Sequence, residues 1–355
     1  MKVGILTIID NNNYGNRLQN FAIQYRLLDF DAVVFTIDNS PYLNSRENYL
    51  LNFFKHLLKK KKNQINQKRY ENFGKFNKRI TMTSKKLNIF KKYDYDYVLV
   101  GSDQVWNPNF GRLKDADLLC FVKKEKRVAF SASFGINDIP EKMKKSVSKA
   151  LNDFKAISVR EDAGKKIVEK LTGRIDVEVL IDPTMLLTAN EWDKVSKKPT
   201  MLKTDKYILN YFLGNLSEER RKEIDRIAQE NNCEVINILD KEGPFYECGP
   251  SEFLYLEKNA FLICTDSFHS SVFGILYKTP FLVFEREDST VSMNSRLDTL
   301  LSKFKLDDRR YKGKITKKDL KCDYTEAYKI LDKERIKSMI FLKKALDIKD
   351  SDKSE

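Results

Sequence analysis

The chain has 355 residues, 41% of them hydrophobic and 12% aromatic, with a formal net charge of +14. Such a length and apolar content fit a globular protein of two domains or one large one and exclude a disordered chain. No apolar run reaches the roughly 18 residues of a membrane-spanning helix, and five scattered cysteines without a CxxC pair suggest neither a disulfide framework nor a zinc site.

In chain order, a short apolar run is repeatedly followed by a helical period. The run KVGILTII at 2–9 is too short for a signal peptide, which makes the cytoplasm the expected location. An Asn-rich loop follows. Then comes RLQNFAIQYRLLDF, where Leu18, Phe21, Ala22, Tyr25 and Leu28 recur at helical spacing. Further strands are expected at 32–38, 95–103, 127–135, 156–161 and 177–183, with a helix at 162–173. After 188–204 the pattern restarts with a strand at 206–214, and Ser217 reads as the N-cap of the helix after it. Three more strands at 233–240, 260–268 and 280–284 alternate with helices, and a last helix is expected near 325–346, free to pack on either half. Strands alternating with helices call for parallel sheets covered on both faces. The expected division is an α/β domain over 1–187, a second over 188–330, and a C-terminal helix and frayed tail over 331–355.

One segment departs from the pattern. Leu50, Leu51, Phe54, Leu57 and Leu58 form an apolar stripe beside Lys55 and the run Lys59, Lys60, Lys61 and Lys62, with His56 incidental among them. A helix lying on the domain surface explains it, and so does a peripheral helix against anionic lipid at the inner face of the cell membrane. The positive charge also fits anionic small molecules. No zinc finger, RNP aromatics or KH-type clamp points to nucleic acid, which is not expected as a partner.

In open α/β sheets ligands bind beyond the carboxyl ends of the strands, and those ends carry polar residues here. After the first strand lie Asn13, Tyr14, Gly15 and Arg17. Gly101, Ser102, Asp103, Gln104, Trp106 and Asn107 end another, and Ser133 and Arg160 two more. Asp266, Ser267, His269, Ser270 and Ser271 stand where an apolar strand meets a helix. Gly15 and Gly101 allow a close backbone approach, although neither belongs to a GxGxxG, and no P-loop or GxSxG elbow is present. Arg160 offers a planar fork to a carboxylate or phosphate, or pairs with Glu161 or Asp162. His269, near a helix start, suits anion binding or proton transfer, or is a histidine satisfied by neighbouring carbonyls. Asp103 and Asp266 are candidate acids or bases. Trp106 or Tyr14 offers a face for stacking on a sugar, with core packing an equal alternative for Trp106.

The stretches NNYGNRLQNFA, VLVGSDQVWNP, FSASFG, ISVRED, IDPTMLL, TDSFHSSVFGILYKTPFLVF and MNSRLDTLL together resemble the polysaccharide pyruvyl transferase family, from about residue 3 to 301. The resemblance implies a GT-B-like fold of two Rossmann-like domains facing a cleft. It implies transfer of pyruvate from phosphoenolpyruvate onto a sugar of a cell-surface polysaccharide as a cyclic ketal, the acceptor being free or lipid-linked. It places phosphoenolpyruvate against His269 and Arg160, and lines the cleft with the loops at 13–15 and 101–108. Asn16 and Arg17 stand where many members have small residues. This chemistry does not require a metal, and no cofactor is expected. The alternatives on the same scaffold are a glycosyltransferase using a nucleotide-sugar and a non-catalytic glycan-binding protein.

Overall fold

The computed structural model describes residues 1–10, 12–39, 63–287 and 295–349. The apolar stripe at 50–58 and Lys59–Lys62 therefore lie outside the described residues. Seven strands form the first sheet: β1 (Lys2–Leu6), β2 (Val33–Asp38), β3 (Met82–Lys86), β4 (Tyr97–Gly101), β5 (Arg127–Ala132), β6 (Ala156–Val159) and β7 (Glu178–Val179). Their order is β3-β2-β1-β4-β5-β6-β7, and every adjacent pair is parallel. The second sheet holds β8 (Tyr207–Tyr211), β9 (Glu234–Asn237), β10 (Leu262–Thr265) and β11 (Phe281–Val283) in the order β11-β10-β8-β9, again parallel. Central strands are covered on both faces, so all six residues of β5 and all four of β10 are buried, as a near-continuous apolar run requires. These are two Rossmann-like α/β domains facing a cleft.

The helices are α1 (Tyr14–Leu27), α2 (Asn63–Asn77), α3 (Glu141–Asn152), α4 (Asp162–Thr172), α5 (Glu218–Glu230), α6 (Pro250–Asn259), α7 (Phe268–Tyr277), α8 (Ser295–Lys303) and α9 (Thr325–Ala345). Helix α1 starts earlier than its apolar spacing indicates, because the Asn13 side chain accepts the Asn16 amide and caps it at 3.1 Å. Leu28 lies past its end and is exposed. Ser217 occupies the N-cap position of α5 but does not cap it with its side chain. Its hydroxyl and amide both donate to Glu287, each at 3.1 Å.

Aromatic residues fasten the two domains together. Tyr14 stacks on Phe253 with ring centroids 4.4 Å apart, and Trp192 meets Phe21 at 5.7 Å and Phe273 at 5.3 Å. Arg69, buried on α2, donates to the Tyr14 hydroxyl at 2.6 Å and to the Tyr246 carbonyl at 3.0 Å, pinning an N-terminal helix to the second domain. Helix α9 bonds to both halves. Tyr328 donates to the Leu276 carbonyl at 2.5 Å, Arg335 donates to the Leu187 carbonyl at 2.7 Å, and Phe341 packs on Phe130. No helix among the described residues is long and apolar enough to cross a membrane.

Candidate active site

The strand order fixes where a site can form. In the first sheet the direction of chain progression reverses between β1 and β4, and in the second between β8 and β10. At such switch points the loops part and leave a crevice. Loops from all four strands line one cavity of about 430 Å³ between the domains: Ile8, Asp10 and Asn13 after β1, Asp103 and Gln104 after β4, Leu213 after β8, and Ser267, Phe268 and His269 after β10. That volume suits a small metabolite together with part of a second substrate. Helices α1 and α7 both begin at this wall, so two helix N-termini, each with partial positive charge, face the same space.

His269 and Arg160 come together through a residue that the sequence reading left unassigned. Asp182 is buried at the start of a 3₁₀ turn after β7. Its Oδ2 accepts the Ser102 hydroxyl at 2.6 Å and Arg160 at 2.9 Å, and lies 3.5 Å from His269 Nε2. Burial opposes the charge on Asp182, but His269, Arg160 and Ser102 outweigh it and hold the carboxyl well below its usual range. Asp182 therefore stays ionised behind the imidazole. The imidazole is fixed from its other side by Gly15, where a Cβ would fall 2.1 Å from His269 Nδ1. No side chain other than hydrogen fits there.

Arg160 is only 3% exposed and sits behind the cavity wall. Its guanidinium lies 4.3 Å from the Phe268 ring and 3.8 Å from Asp103 Oδ1. Of the arginines on the wall, Arg296 of α8 stands without an ion pair among the described residues. It is buried, and its Nε has no partner among them. Burial, then the nearby charge of Arg160, pushes its pKa down to about 10, which leaves it charged at neutral pH. Arg286 also lines the cavity but is paired with Asp266 at 2.9 Å.

Several expected site residues turn out to be occupied elsewhere. Trp106 is wholly buried against Phe134 and donates to the Asp117 carbonyl at 3.0 Å, so no sugar reaches its face. Tyr14 is likewise enclosed, between Phe73 and Phe253. Asp266 is not on the wall, for its two oxygens accept the amides of Leu213 and Gly214 at 2.7 Å each. Ser270 donates to Glu257, Ser271 to the Ser267 carbonyl and Ser133 to Glu161. Arg17 is buried and donates to the Ile8 carbonyl, while Gly101 packs on the Phe130 carbonyl. Asn107 is buried, capping the turn that follows it and donating to Gln104 at 2.6 Å. Asn13, Asp103, Gln104, Ser267 and His269 do line the cavity. Asp103 adopts a left-handed conformation, φ 57°, and its carboxylate accepts the Gln104 amide at 2.8 Å and the Asn16 side chain. The sequence reading missed Asp182, Arg296, Arg286, Phe110 and Leu213. Asp182 and Arg296 stand inside the quoted stretches IDPTMLL and MNSRLDTLL.

Beneath α7 lies a carboxyl group in an apolar setting. Glu257 of α6 is buried, receives only the Ser270 hydroxyl at 2.6 Å, and leaves Oε2 without a partner. Burial raises its pKa well above the ordinary glutamate value, with Ser270 opposing weakly. The folded protein therefore holds a proton on Glu257 that the unfolded chain releases above about pH 4.3. The stabilising share of this group is full below that pH and is lost as pH rises toward the folded-state pKa. Glu257→Gln, neutral at every pH, is expected to flatten the fall of Tm between pH 4.5 and 8.5. Parallel Tm–pH curves for the two proteins, followed by circular dichroism, refute the assignment.

No curated relative matches the chain. Among solved structures it is similar to the UDP-GlcNAc 2-epimerase of Methanocaldococcus jannaschii (16% identity, 96% of this chain and 100% of that one, TM-score 0.47). Two others are a glycosyltransferase from Rickettsia africae (10%, 98% and 99%, TM-score 0.49) and MurG of Acinetobacter baumannii (10%, 98% and 98%, TM-score 0.40). The family model of the polysaccharide pyruvyl transferases matches residues 13–289, a span that holds Asn13, Asp103, Asp182 and His269. The chain belongs to the polysaccharide pyruvyl transferase family.

Proposed function

We propose that the protein transfers pyruvate from phosphoenolpyruvate to two hydroxyls of one sugar, forming a cyclic ketal on a unit of an envelope polysaccharide on the cytoplasmic side of the membrane. The observation that carries this reading is Arg296. A buried, charged guanidinium on a cavity wall, with no carboxylate in ion-pair contact among the described residues and only the more distant charges of Asp103 and Glu161 to offset it, calls for an anionic ligand. Phosphoenolpyruvate brings a carboxylate and a phosphate. Arg296 and the amides at the starts of α1 and α7 supply separate anchors for them.

Ketal formation adds a proton to the methylene carbon of the donor. A sugar hydroxyl oxygen bonds to the adjacent carbon and gives up its proton. The bond from that carbon to phosphate breaks, and a second hydroxyl of the same sugar closes the ring on it, its proton leaving on the phosphate. We assign proton delivery to His269, which has the Asp182 carboxylate behind it to support the imidazolium form. Asp103, on the same wall, is the candidate to receive the hydroxyl proton. Arg160 holds Asp182 in place from behind the cavity wall. Positive charge on the wall offsets the negative charge of the departing phosphate.

Phosphoenolpyruvate at about 100 times its Kd is expected to stabilise the protein by about 2.7 kcal/mol, seen as a rise in Tm, whereas UDP-GlcNAc gives none. Arg296→Met is expected to weaken that binding by about 2 kcal/mol or more, roughly 30-fold in Kd. Phosphate release with a panel of sugar acceptors then tests the chemistry. A rise in Tm with UDP-GlcNAc and none with phosphoenolpyruvate favours the glycosyltransferase alternative and removes this reading.

A further inference from the structure

We propose that Phe110 is the stacking platform for the acceptor's pyranose ring, with Leu213 closing on it from the other domain. This rests on the pyruvyl-transfer reading for the reaction but not for the sugar contact itself. Phe110 and Leu213 are 54% and 46% exposed, and both exposures occur on the wall of the one cavity that holds His269. Scattered exposed apolar side chains are ordinary on a protein surface. Two that face one reaction cavity, one from each domain, call for a ligand with an apolar face.

The platform is held still. Phe110 ends the 3₁₀ turn Pro108–Phe110, whose N-cap Asn107 accepts the Asn109 amide at 2.9 Å. The Phe110 amide donates back to the Asn107 carbonyl at 3.2 Å, and Gly111 leaves the turn at φ 66°. The backbone that carries the ring is thus set before any ligand arrives, which reduces the entropy lost on binding. Asp10, Gln104 and Arg112 line the same cavity, with Gln104 Oε1 accepting the Asn107 side chain and Arg112 paired with Asp117. A pyranose has two such surfaces: a patch of C–H bonds that packs on an aromatic ring, and a rim of hydroxyls that needs planar donors and acceptors. A cavity wall that carries an exposed aromatic ring together with a carboxylate, an amide and a guanidinium offers both. Asp103 and His269 line that same cavity.

The test uses methyl β-D-galactopyranoside, methyl β-D-glucopyranoside and methyl β-D-mannopyranoside with the full-length protein and phosphoenolpyruvate. Saturation-transfer NMR is expected to mark the C–H protons on one face of the ring in at least one glycoside. Phe110→Ala should weaken that contact roughly three- to tenfold, Phe110→Trp should keep it, and Phe90→Ala should leave it unchanged, since Phe90 is 91% exposed and off the cavity. Thermal stabilisation by phosphoenolpyruvate should be the same in Phe110→Ala as in the wild type. Equal saturation in Phe110→Ala and wild type, or no saturation of any of the three glycosides, overturns the proposal. If phosphoenolpyruvate fails to stabilise the wild type while glycoside contact still depends on Phe110, the donor assignment falls and the sugar subsite stands.

Discussion

His269→Gln is expected to lower kcat for phosphate release by roughly 10²–10⁴, with the phosphoenolpyruvate-induced rise in Tm largely kept. Glutamine has nearly the reach of histidine and can donate a hydrogen bond, but it cannot deliver a proton near neutral pH. Asp182, Ser102 and Arg160 hold one another without the imidazole, so the wall behind His269 survives the change. Arg296 and the two helix starts remain to grip the donor. The loss therefore falls on kcat and not on donor affinity. The split between kcat and donor affinity separates the two roles open to an imidazole at this position. A variant within about threefold of the wild-type kcat would sink the proton-delivery assignment. A loss confined to donor affinity would make His269 an anion ligand.

Much of the scaffold was legible because parallel strands buried on both faces leave near-continuous apolar runs. VLV at β4 and LIC at β10 announce themselves, and the polar residues after them mark the crevice. Strand β3, with sequence MTSKK, left no such trace, since an edge strand half open to solvent has no reason to be apolar. Helix α3 was also passed over, although its apolar face of Val147, Ala150 and Leu151 has helical spacing. At the site, the sequence indicated which loops converge but not which side chains turn inward. Tyr14 and Trp106 sit in the right loops and point into the core, where rings are worth more than in water. Phe110, four residues beyond Trp106, is the ring left on the wall. The Asp182 hub was hidden for another reason. It joins Ser102, Arg160 and His269, which lie 80, 22 and 87 residues from it along the chain, and only folding brings such distant groups to one carboxylate.

Gly15→Ala tests that arrangement from the side opposite Asp182. On backbone grounds the change should help, because alanine within a helix is favoured over glycine by up to about 1 kcal/mol, and Gly15 lies in the first turn of α1. The cavity wall dictates the reverse. The new methyl would lie 2.1 Å from Nδ1 and 2.5 Å from Cε1 of His269, so the imidazole must leave its place beside Asp182. That ring is buried between the starts of two helices and cannot move without losing the 3.5 Å approach to Asp182. Gly15→Ala is therefore expected to cut kcat by 10-fold or more, since small misplacements of a catalytic group cost on the order of 10²-fold, while Tm changes little. The decisive comparison is a double-mutant cycle. In a His269→Ala background the imidazole is gone and the methyl has room, so Gly15→Ala should cost almost nothing further. Equal losses in both backgrounds would mean that Gly15 serves the helix or a substrate directly, and that the imidazole is not held by the contact proposed here.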